Sequence, residues 1–585
     1  MTEAANRGVR DWVWWLLVAL AVAPLVLCEL TSSDAWFHAH TGRWIFENHT
    51  APDFSKWYFT PTRVAVPDLR WTCLGDVIFF FAARGGAAGM TLLSAACLAL
   101  GLWLLRRLWA GPMNGWVATV LMAVTFGSYQ LQLARNAVFS LPLLAAVFVA
   151  FTRSRRDARW HFAWPILFGL WGILHGSAAL GLAVATLLVV GGWVDRFAEK
   201  SGGLRREILG SAAALGVAAL LALGGNPTAV DLLKKPVQKS PPAAVSAAPV
   251  DLKWRLNHLI WNPDSVGVMS GDFASPFDRF DYRPVPFSLA MAAAALAWLA
   301  LARGWRVAWL VGSAAVFFLA LCYFRMAGYA AVAAGAVFLG VPRGALRISG
   351  APIAVCAGVF LIGSALFGRM DAVIGKATHV AGLGASPQFD DAVCDAMLAP
   401  EFTGDEAFTT IASGSHALWR WAGRRRVFVD GFFAPHERSI WKDYAAVRDG
   451  ASPDTLVEKY GARLALIEHE RNDFSTTFLS APSWRPVLIG KGAIVFAHRT
   501  ARAYSGGLRV LASWDEARKM NDYFRQRLAS NYYGALVSLA LAGEVDSVRR
   551  AIAQDPALFA GLESDLAPSQ RLAVVALKRI LENAQ

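Results

Sequence analysis

The chain consists of long apolar runs separated by short polar segments through its first two thirds. Each run holds roughly 15 to 22 residues, near the length that a helix needs to cross the hydrocarbon core of a bilayer. The pattern predicts about eleven transmembrane helices within a domain of residues 1–368. The runs cover residues 11–29, 87–105, 114–128, 136–152, 160–174, 177–194, 206–224, 285–302, 305–323, 326–341 and 351–368.

The last third of the chain has a different pattern. After Gly368 the apolar runs shorten, charged residues become more frequent, and β-like stretches alternate with helix-like ones. This alternation predicts an α/β domain over residues 369–505, followed by a helical tail over 506–585 with one helix pair that resembles a tetratricopeptide repeat. The β-like stretches are residues 408–412, 426–429, 464–468, 486–489 and 493–498.

Composition excludes an ordinary soluble protein, because 56% of the residues are hydrophobic and the mean hydropathy is +0.40. Basic residues gather in alternate loops, which the positive-inside rule assigns to the cytoplasm. We therefore expect a cytoplasmic N-terminus, a C-terminal domain on the outside, and two long outer loops, residues 30–86 and 225–284. The basic residues are Arg7, Arg10, Arg106, Arg107, Arg153, Arg155, Arg156, Arg159, Arg196, Lys200, Arg205, Arg206, Arg303, Arg306, Arg343 and Arg347.

The formal net charge of +13 follows largely from this topology. Nucleic-acid binding would need a basic face with stacking aromatic residues on a soluble domain. Here the arginines mark the ends of predicted helices, so no nucleic-acid partner is expected.

Polar residues of complementary chemistry occur at the predicted outer ends of the helices. Asp34, His38, Arg43 and Asp53 lie in the first outer loop. Ionisable groups at a membrane boundary are candidates for function, and a guanidinium group binds phosphate oxygens in a fork. Each residue alone also has an ordinary explanation, such as an arginine that extends to lipid headgroups. The remaining outer-end residues are Arg135, His175, Asn226 and Arg325.

Several short motifs in this order resemble the bacterial membrane glycosyltransferases of the GT-C superfamily, which use polyprenyl-phosphate sugars and are related to protein mannosyltransferases. The likeness covers most of the chain. It implies an active site at the outer face, a lipid-linked sugar donor, and a catalytic acid in the first outer loop. The motifs are Asp34-Ala-Trp-Phe-His38, Gly42-Arg-Trp-Ile45, Pro52-Asp-Phe-Ser55, Trp71, Gly85-Gly86, Leu174-His175-Gly176, Asn226-Pro227, Phe324-Arg325 and Val427-Phe-Val-Asp-Gly431.

Asp34 matches the position of the catalytic acid best, and Asp53 is the second candidate. One carboxylate acting as a base implies direct displacement with inversion, whereas double displacement would need Asp53 close by as nucleophile. A divalent metal ion among Asp34, His38 and Asp53 would suit these ligand types, although their spacing matches no strong metal motif. Asp430 is interpreted as a turn residue after a strand.

Two other functional classes remain open from the sequence alone. The first is a transporter or flippase for a lipid-linked glycan, which would predict internal repeats and polar residues at mid-membrane depth. The second is a non-catalytic membrane scaffold. The sequence does not specify the sugar, and the acceptor could be a lipid, a glycan or a protein. The family likeness predicts the bacterial inner membrane as the location, where membrane lipids surround the chain.

Overall fold

The fold is that of a computed structural model covering most of the chain. It describes residues 2–61, 73–200, 204–223, 283–301, 307–322, 326–341, 350–367, 369–376, 378–380, 382–431 and 436–583. Two compact units divide the chain. We call Met1–Leu30, Ile45–Ala51 and Pro67–Gly384 the helical unit, and Thr31–Trp44, Pro52–Val66 and Ala385–Gln585 the mixed unit. The domain boundaries drawn from the sequence stay a prediction.

Each of the eleven apolar runs contains a helix, which confirms the helical class of the first two thirds of the chain. A further helix, Cys73–Ala83, lies in the first predicted outer loop, where residues 74–83 form a short apolar stretch. The eleven helices are Thr2–Val26, Gly86–Arg106, Gly115–Gly127, Ser140–Ser154, Ala163–Leu174, Ala178–Ala198, Leu204–Leu223, Pro284–Leu301, Val307–Cys322, Ala327–Gly340 and Ala351–Leu366.

Four helices within the described ranges are long and apolar enough to cross a membrane. They are Gly86–Arg106, Asn136–Ser154, Ala178–Ala198 and Pro284–Leu301. The other apolar helices are shorter or more charged, so the number of spans stays a prediction. Most of Asn136–Ser154 is buried, so this helix lies at the centre of the helical unit. Small residues allow neighbouring backbones to approach closely, as where Gly115 faces Ala351.

The mixed unit contains a five-stranded sheet with the order β1-β2-β4-β3-β5. The strands are β1 Glu406–Thr409, β2 Ala462–Glu468, β3 Trp484–Ile489, β4 Ala493–His498 and β5 Arg509–Val510. β1 pairs parallel with β2, and β3 pairs parallel with β5, while β4 is antiparallel to both of its neighbours. The predicted α/β class of this region is confirmed.

Two strand predictions were wrong in detail. The stretch 426–429 forms no strand, because only Val427 makes isolated bridges, to Tyr58 and to Ala407. The stretch 408–412 ends as a strand at Thr409, because Thr410 caps the helix Ile411–Trp421 through a reciprocal bond with Ser413.

The first predicted outer loop contributes directly to the mixed unit. Val427 N–H donates to the Trp57 carbonyl at 2.9 Å, and Val427 also bridges to Ala407 of β1. The Trp36 indole packs edge-on against His416, with ring centroids 5.1 Å apart. The sequence placed these residues in a connecting loop, whereas they form part of the core of this unit.

Helices accompany the sheet of the mixed unit and make up its C-terminal tail. The predicted helix pair of the tail is present as Asp522–Leu541 and Val545–Gln554. The part of the unit after Gly384 also contains the helices Asp391–Ala396, Ile411–Trp421, Arg438–Arg448, Asp454–Tyr460, Asn472–Ser480, Trp514–Ala517, Pro556–Leu562 and Pro568–Asn583.

Candidate functional site

Asp34 lies in the first turn of the helix Ser33–Asn48. A carboxylate at this position interacts favourably with the helix dipole. Behind it the helix buries Ala35, Trp36 and Phe37, while Asp34 itself is only partly buried. The sequence therefore anchors the helix through its apolar side chains and leaves the carboxylate partly accessible.

The Asp34 carboxylate lies against the Val427–Gly431 motif. Its Oδ1 atom is 3.0 Å from the position that a Cβ on Gly431 would occupy, and the Ser415 hydroxyl is 3.1 Å from that same position. The Gly431 N–H donates to Ser415 Oγ at 2.8 Å. Two segments that the sequence singled out separately thus meet, and a residue without a side chain makes the close approach possible.

Asp430, interpreted from the sequence as a turn residue, is fully buried beside Gly431. It interacts with the Tyr58 hydroxyl, and burial followed by the charge of Asp430 raises the pKa of Tyr58 well above its ordinary value. The Tyr58 ring packs edge-on against His436 at 4.4 Å, and burial lowers the pKa of His436 to about 3. This buried polar cluster supports the backbone next to Gly431.

Asp53 makes the contacts of a helix cap. Its side chain accepts hydrogen bonds from the Ser55 N–H at 3.2 Å and the Ser55 hydroxyl at 2.6 Å. It also lies 4.0 Å from the Lys56 ammonium group. These contacts fix the short 3₁₀ helix Phe54–Lys56, which gives Asp53 a structural function in addition to the predicted catalytic one.

His38 and Arg43 follow Asp34 on the same helix and are both partly buried. His40, between them, is buried against Trp57 with ring centroids 4.5 Å apart. Burial, with a smaller effect of Arg43, lowers the pKa of His40 to about 3. His40 is therefore a neutral core residue at physiological pH.

The metal ion considered for Asp34, His38 and Asp53 is not supported by their arrangement. No group of three or more His, Cys, Asp or Glu side chains that could hold a metal ion occurs in the part of the chain that the structure describes.

Arg135 and His175 belong to the helical unit. Arg135 is buried and precedes the 3₁₀ helix Asn136–Phe139. His175 follows the helix Ala163–Leu174, and its N–H donates to the Trp171 carbonyl at 2.9 Å. The next helix begins at Ala178, so His175 lies in a short turn between two helices.

The surroundings of His175 determine which of its nitrogens carries a proton. The backbone N–H of Ser177 donates to Nδ1 at 3.2 Å, and the hydroxyls of Ser177 and Ser140 lie 2.7 and 2.9 Å from the same atom. Since Nδ1 accepts a backbone hydrogen bond, neutral His175 carries its proton on Nε2. Nε2 is then a hydrogen-bond donor, which suits an anionic ligand.

Sequence reasoning missed Asp76. Its side chain is fully buried and accepts a hydrogen bond from Asn136 Nδ2 at 2.6 Å. The residue was passed over because it lies in the apolar stretch 74–83. A carboxylate in such a stretch, next to Gly75, was the signal that could have identified it.

The remaining two candidates, Asn226 and Arg325, lie outside the described residues. Asp34, His38, Arg43 and Asp53 belong to the mixed unit, and Arg135 and His175 to the helical unit. The convergence of all eight residues on one site stays a prediction.

No family model matches the chain, and no curated protein matches it. Among solved structures, the chain is similar to the crystal structure of ArnT from Cupriavidus metallidurans in the apo state, with 13% identity and a TM-score of 0.45, over 85% of this chain and 98% of that one. It is likewise similar to ArnT from Cupriavidus metallidurans bound to undecaprenyl phosphate, with 13% identity and a TM-score of 0.44, over 82% of this chain and 96% of that one. At these values the likeness concerns the overall course of the chain and assigns no activity or ligand to it.

Proposed function

We propose that the chain transfers a sugar from a polyprenyl-phosphate-linked donor to an acceptor at the outer face of the bacterial inner membrane. The observation that carries the proposal is the position of Asp34. Its carboxylate is at a helix N-terminus, is partly accessible, and lies against Gly431. A positioned carboxylate is what the acceptor half of this reaction requires.

The reaction is a direct displacement. Asp34 accepts the proton of an acceptor hydroxyl group, and the acceptor oxygen forms a bond to the anomeric carbon of the sugar. The bond between that carbon and the phosphate oxygen breaks, and the polyprenyl phosphate leaves with the bonding electrons. Such positioned proton transfer contributes about 10²–10⁴-fold to the rate. Attack on the face opposite the phosphate inverts the anomeric configuration.

The donor half of the reaction requires groups that bind the phosphate and stabilise its growing charge. Arg135 and Arg325 are proposed to bind the phosphate oxygens, and the Nε2–H of His175 to donate a further hydrogen bond. His38, Arg43 and Asn226 are proposed to contact the sugar or the phosphate. The buried position of Arg135 supports this assignment over a headgroup contact at the lipid surface.

Asp53 is proposed to assist by positioning the first loop. Double displacement would require Asp53 to act as a nucleophile close to the anomeric carbon, and its hydrogen bonds to Ser55 favour a capping role instead. Direct displacement by way of Asp34 is therefore the mechanism that we propose.

The function is tested by sugar transfer in membrane vesicles of defined orientation. A polyprenyl-phosphate donor with a radiolabelled sugar is added to right-side-out and to inverted vesicles that contain the wild-type chain. We expect label to enter acceptor material only when the donor reaches the outer face. Transfer at an equal rate in vesicles that lack the chain would rule out the proposal.

A further inference from the structure

We propose that Gly75 and Asp76 are positioning residues that set the distance between Arg135 and His175. The inference rests on the proposed function, because it assigns those two residues to the donor phosphate. Both positioning residues lie on the helix Cys73–Ala83, and all four residues belong to the helical unit.

The first contact fixes the segment that carries Arg135. Asp76 is fully buried, Asn136 is 1% exposed, and Asn136 Nδ2 donates to Asp76 Oδ1 at 2.6 Å. Asn136 directly follows Arg135 and begins the short 3₁₀ helix Asn136–Phe139. Loss of either partner of a buried hydrogen bond leaves the other polar group unsatisfied, which costs free energy. The hydrogen bond between Asp76 and Asn136 ties the backbone beside Arg135 to the Cys73–Ala83 helix.

The second contact fixes the segment that carries His175. A Cβ on Gly75 would lie 2.5 Å from the Leu174 carbonyl oxygen and 3.2 Å from the Asn136 side chain. Leu174 directly precedes His175. The absence of a side chain at residue 75 therefore lets the Cys73–Ala83 helix contact both segments at once.

The third contact joins the two segments directly. The Ser140 hydroxyl lies 2.9 Å from His175 Nδ1 and 2.6 Å from the Ser177 hydroxyl. Ser140 is the residue after the 3₁₀ helix that begins at Asn136. Three contacts thus connect the three segments to one another: Asp76 with Asn136, Ser140 with His175, and Leu174 with Gly75. Because each segment contacts the other two, these contacts restrict how far Arg135 and His175 can move apart.

The alternative is that Asp76 only stabilises helix packing. Asp195 provides a matched control, because it is also a buried carboxylate of the helical unit. It accepts a hydrogen bond from the Val307 N–H at 2.7 Å and pairs with Arg155 at 3.3 Å. Asp195 takes no part in the contacts that connect Gly75 and Asp76 with the segments of Arg135 and His175. A packing role predicts similar effects at both residues, whereas a positioning role predicts a loss of phosphate binding at Asp76 alone.

The test measures binding of undecaprenyl phosphate to the full chain in detergent, with undecaprenol as the probe that lacks the phosphate. Asp76→Ala and Asn136→Ala should each weaken binding of the phosphate by about 10-fold, and undecaprenol binding should not change. The variant with both Asp76→Ala and Asn136→Ala should bind the phosphate with the affinity of either single variant, within about 2-fold, because the two residues act through one contact. Asp76→Asn keeps an acceptor oxygen and should retain most of the affinity. Asp195→Ala should bind as the wild type does.

Gly75→Ala is a second test, and it leaves the hydrogen bond between Asp76 and Asn136 in place. It replaces Asp76→Ala as the test if that variant does not fold. It should also weaken phosphate binding, because the added methyl group displaces Leu174. If Arg135→Gln weakens binding while the changes at residues 75, 76 and 136 do not, the inference is wrong and the proposed function stands. If Arg135→Gln and His175→Ala also leave binding unchanged, the proposed donor site is wrong, and the inference falls with it.

Discussion

The Oδ1 atom of Asp34 lies 3.0 Å from the point that a Cβ on Gly431 would occupy. Nearly four hundred residues separate these two positions in the sequence, yet both belong to the mixed unit. The N–H of Gly431 donates a hydrogen bond to the Ser415 hydroxyl at 2.8 Å. The glycine therefore forms a fixed surface against which the candidate base is positioned.

Gly431→Ala should reduce sugar transfer strongly. The added methyl group would displace either the Asp34 carboxylate or the Ser415 hydroxyl, and a displacement of about 1 Å can lower the rate about 10²-fold. Carrier binding should change little, since Asp34 is assigned to the acceptor. The initial transfer rate at saturating donor is the measurement.

Gly506→Ala is the matched control for this change. Gly506 belongs to the same unit, and a Cβ there would meet no atom within 4 Å. It should transfer sugar at the wild-type rate. Equal rates for the Gly431 and Gly506 variants would show that the contact with Asp34 does not matter for the reaction.

The regular elements could be predicted from the sequence because their signals are local. Apolar runs of membrane length located the eleven helices, and a short apolar run between polar segments indicated β4 as residues 493–498, as observed. The stretch 426–429 is also short and mostly apolar, but only Val427 makes isolated bridges, to Tyr58 and to Ala407 of β1. Whether such a stretch forms a strand depends on neighbours that are distant in sequence.

The candidate site was predictable only in part for the same reason. Asp34 was identified because a carboxylate next to a predicted span is unusual. The contacts of Asp34 with Gly431 and of Asp76 with Asn136 join distant segments, and no local period indicates them. The capping bonds of Asp53 to Ser55 are local, and the Asp-Phe-Ser order could have indicated them.

Acid should destabilise the mixed unit through its buried histidines. Burial lowers the pKa of His436 to about 3 and that of His469 to about 4, whereas an exposed histidine titrates near 6.5. Below pH 6.5 the unfolded chain then binds more protons than the folded one. Each histidine should lower the free energy of unfolding by up to ~1.4 kcal/mol per pH unit as the pH falls from 6.5 towards 4. Above pH 6.5 neither contributes a dependence.

His469→Gln isolates one of these contributions. Glutamine can donate to the Gly490 carbonyl, as His469 Nε2 does at 2.9 Å, but it does not titrate. The midpoint of thermal unfolding of the full chain, measured at pH 7.5 and at pH 5, should differ less in the variant than in the wild type. Nearby acids such as Glu468, whose pKa burial raises, titrate in both proteins and cancel in the comparison. An unchanged difference between the two pH values would contradict a neutral buried His469.

The proposed topology predicts the location of the C-terminus. Basic residues occur at every other short loop of the sequence, and the predicted odd number of spans would place the C-terminal domain outside. A reporter enzyme that works only in the cytoplasm should therefore be inactive when fused after Gln585. The same reporter fused before Arg7 should be active. Activity at both ends would refute an odd number of spans.

His175 should bind the donor as a hydrogen-bond donor and not as a cation. Ser177 N–H occupies Nδ1 at 3.2 Å, which leaves the proton on Nε2. His175→Gln retains an N–H donor and should lose less affinity for undecaprenyl phosphate than His175→Ala, which we expect to lose about 5- to 10-fold. The affinities should be compared at one fixed pH. Equal losses in the two variants would indicate that this donor does not contact the phosphate.

The central claim is that Asp34 is the base of a glycosyl transfer, and mass spectrometry of cell-envelope glycans tests it most directly. Cells would carry the wild type, Asp34→Asn or Asp53→Asn, at equal amounts in the membrane. Asparagine keeps the size of the side chain but cannot accept the proton. We expect at least one glycan species of the wild type to disappear with Asp34→Asn and to persist at a reduced level with Asp53→Asn. An unchanged glycan profile with Asp34→Asn, or loss of the species with Asp53→Asn alone, would contradict the account.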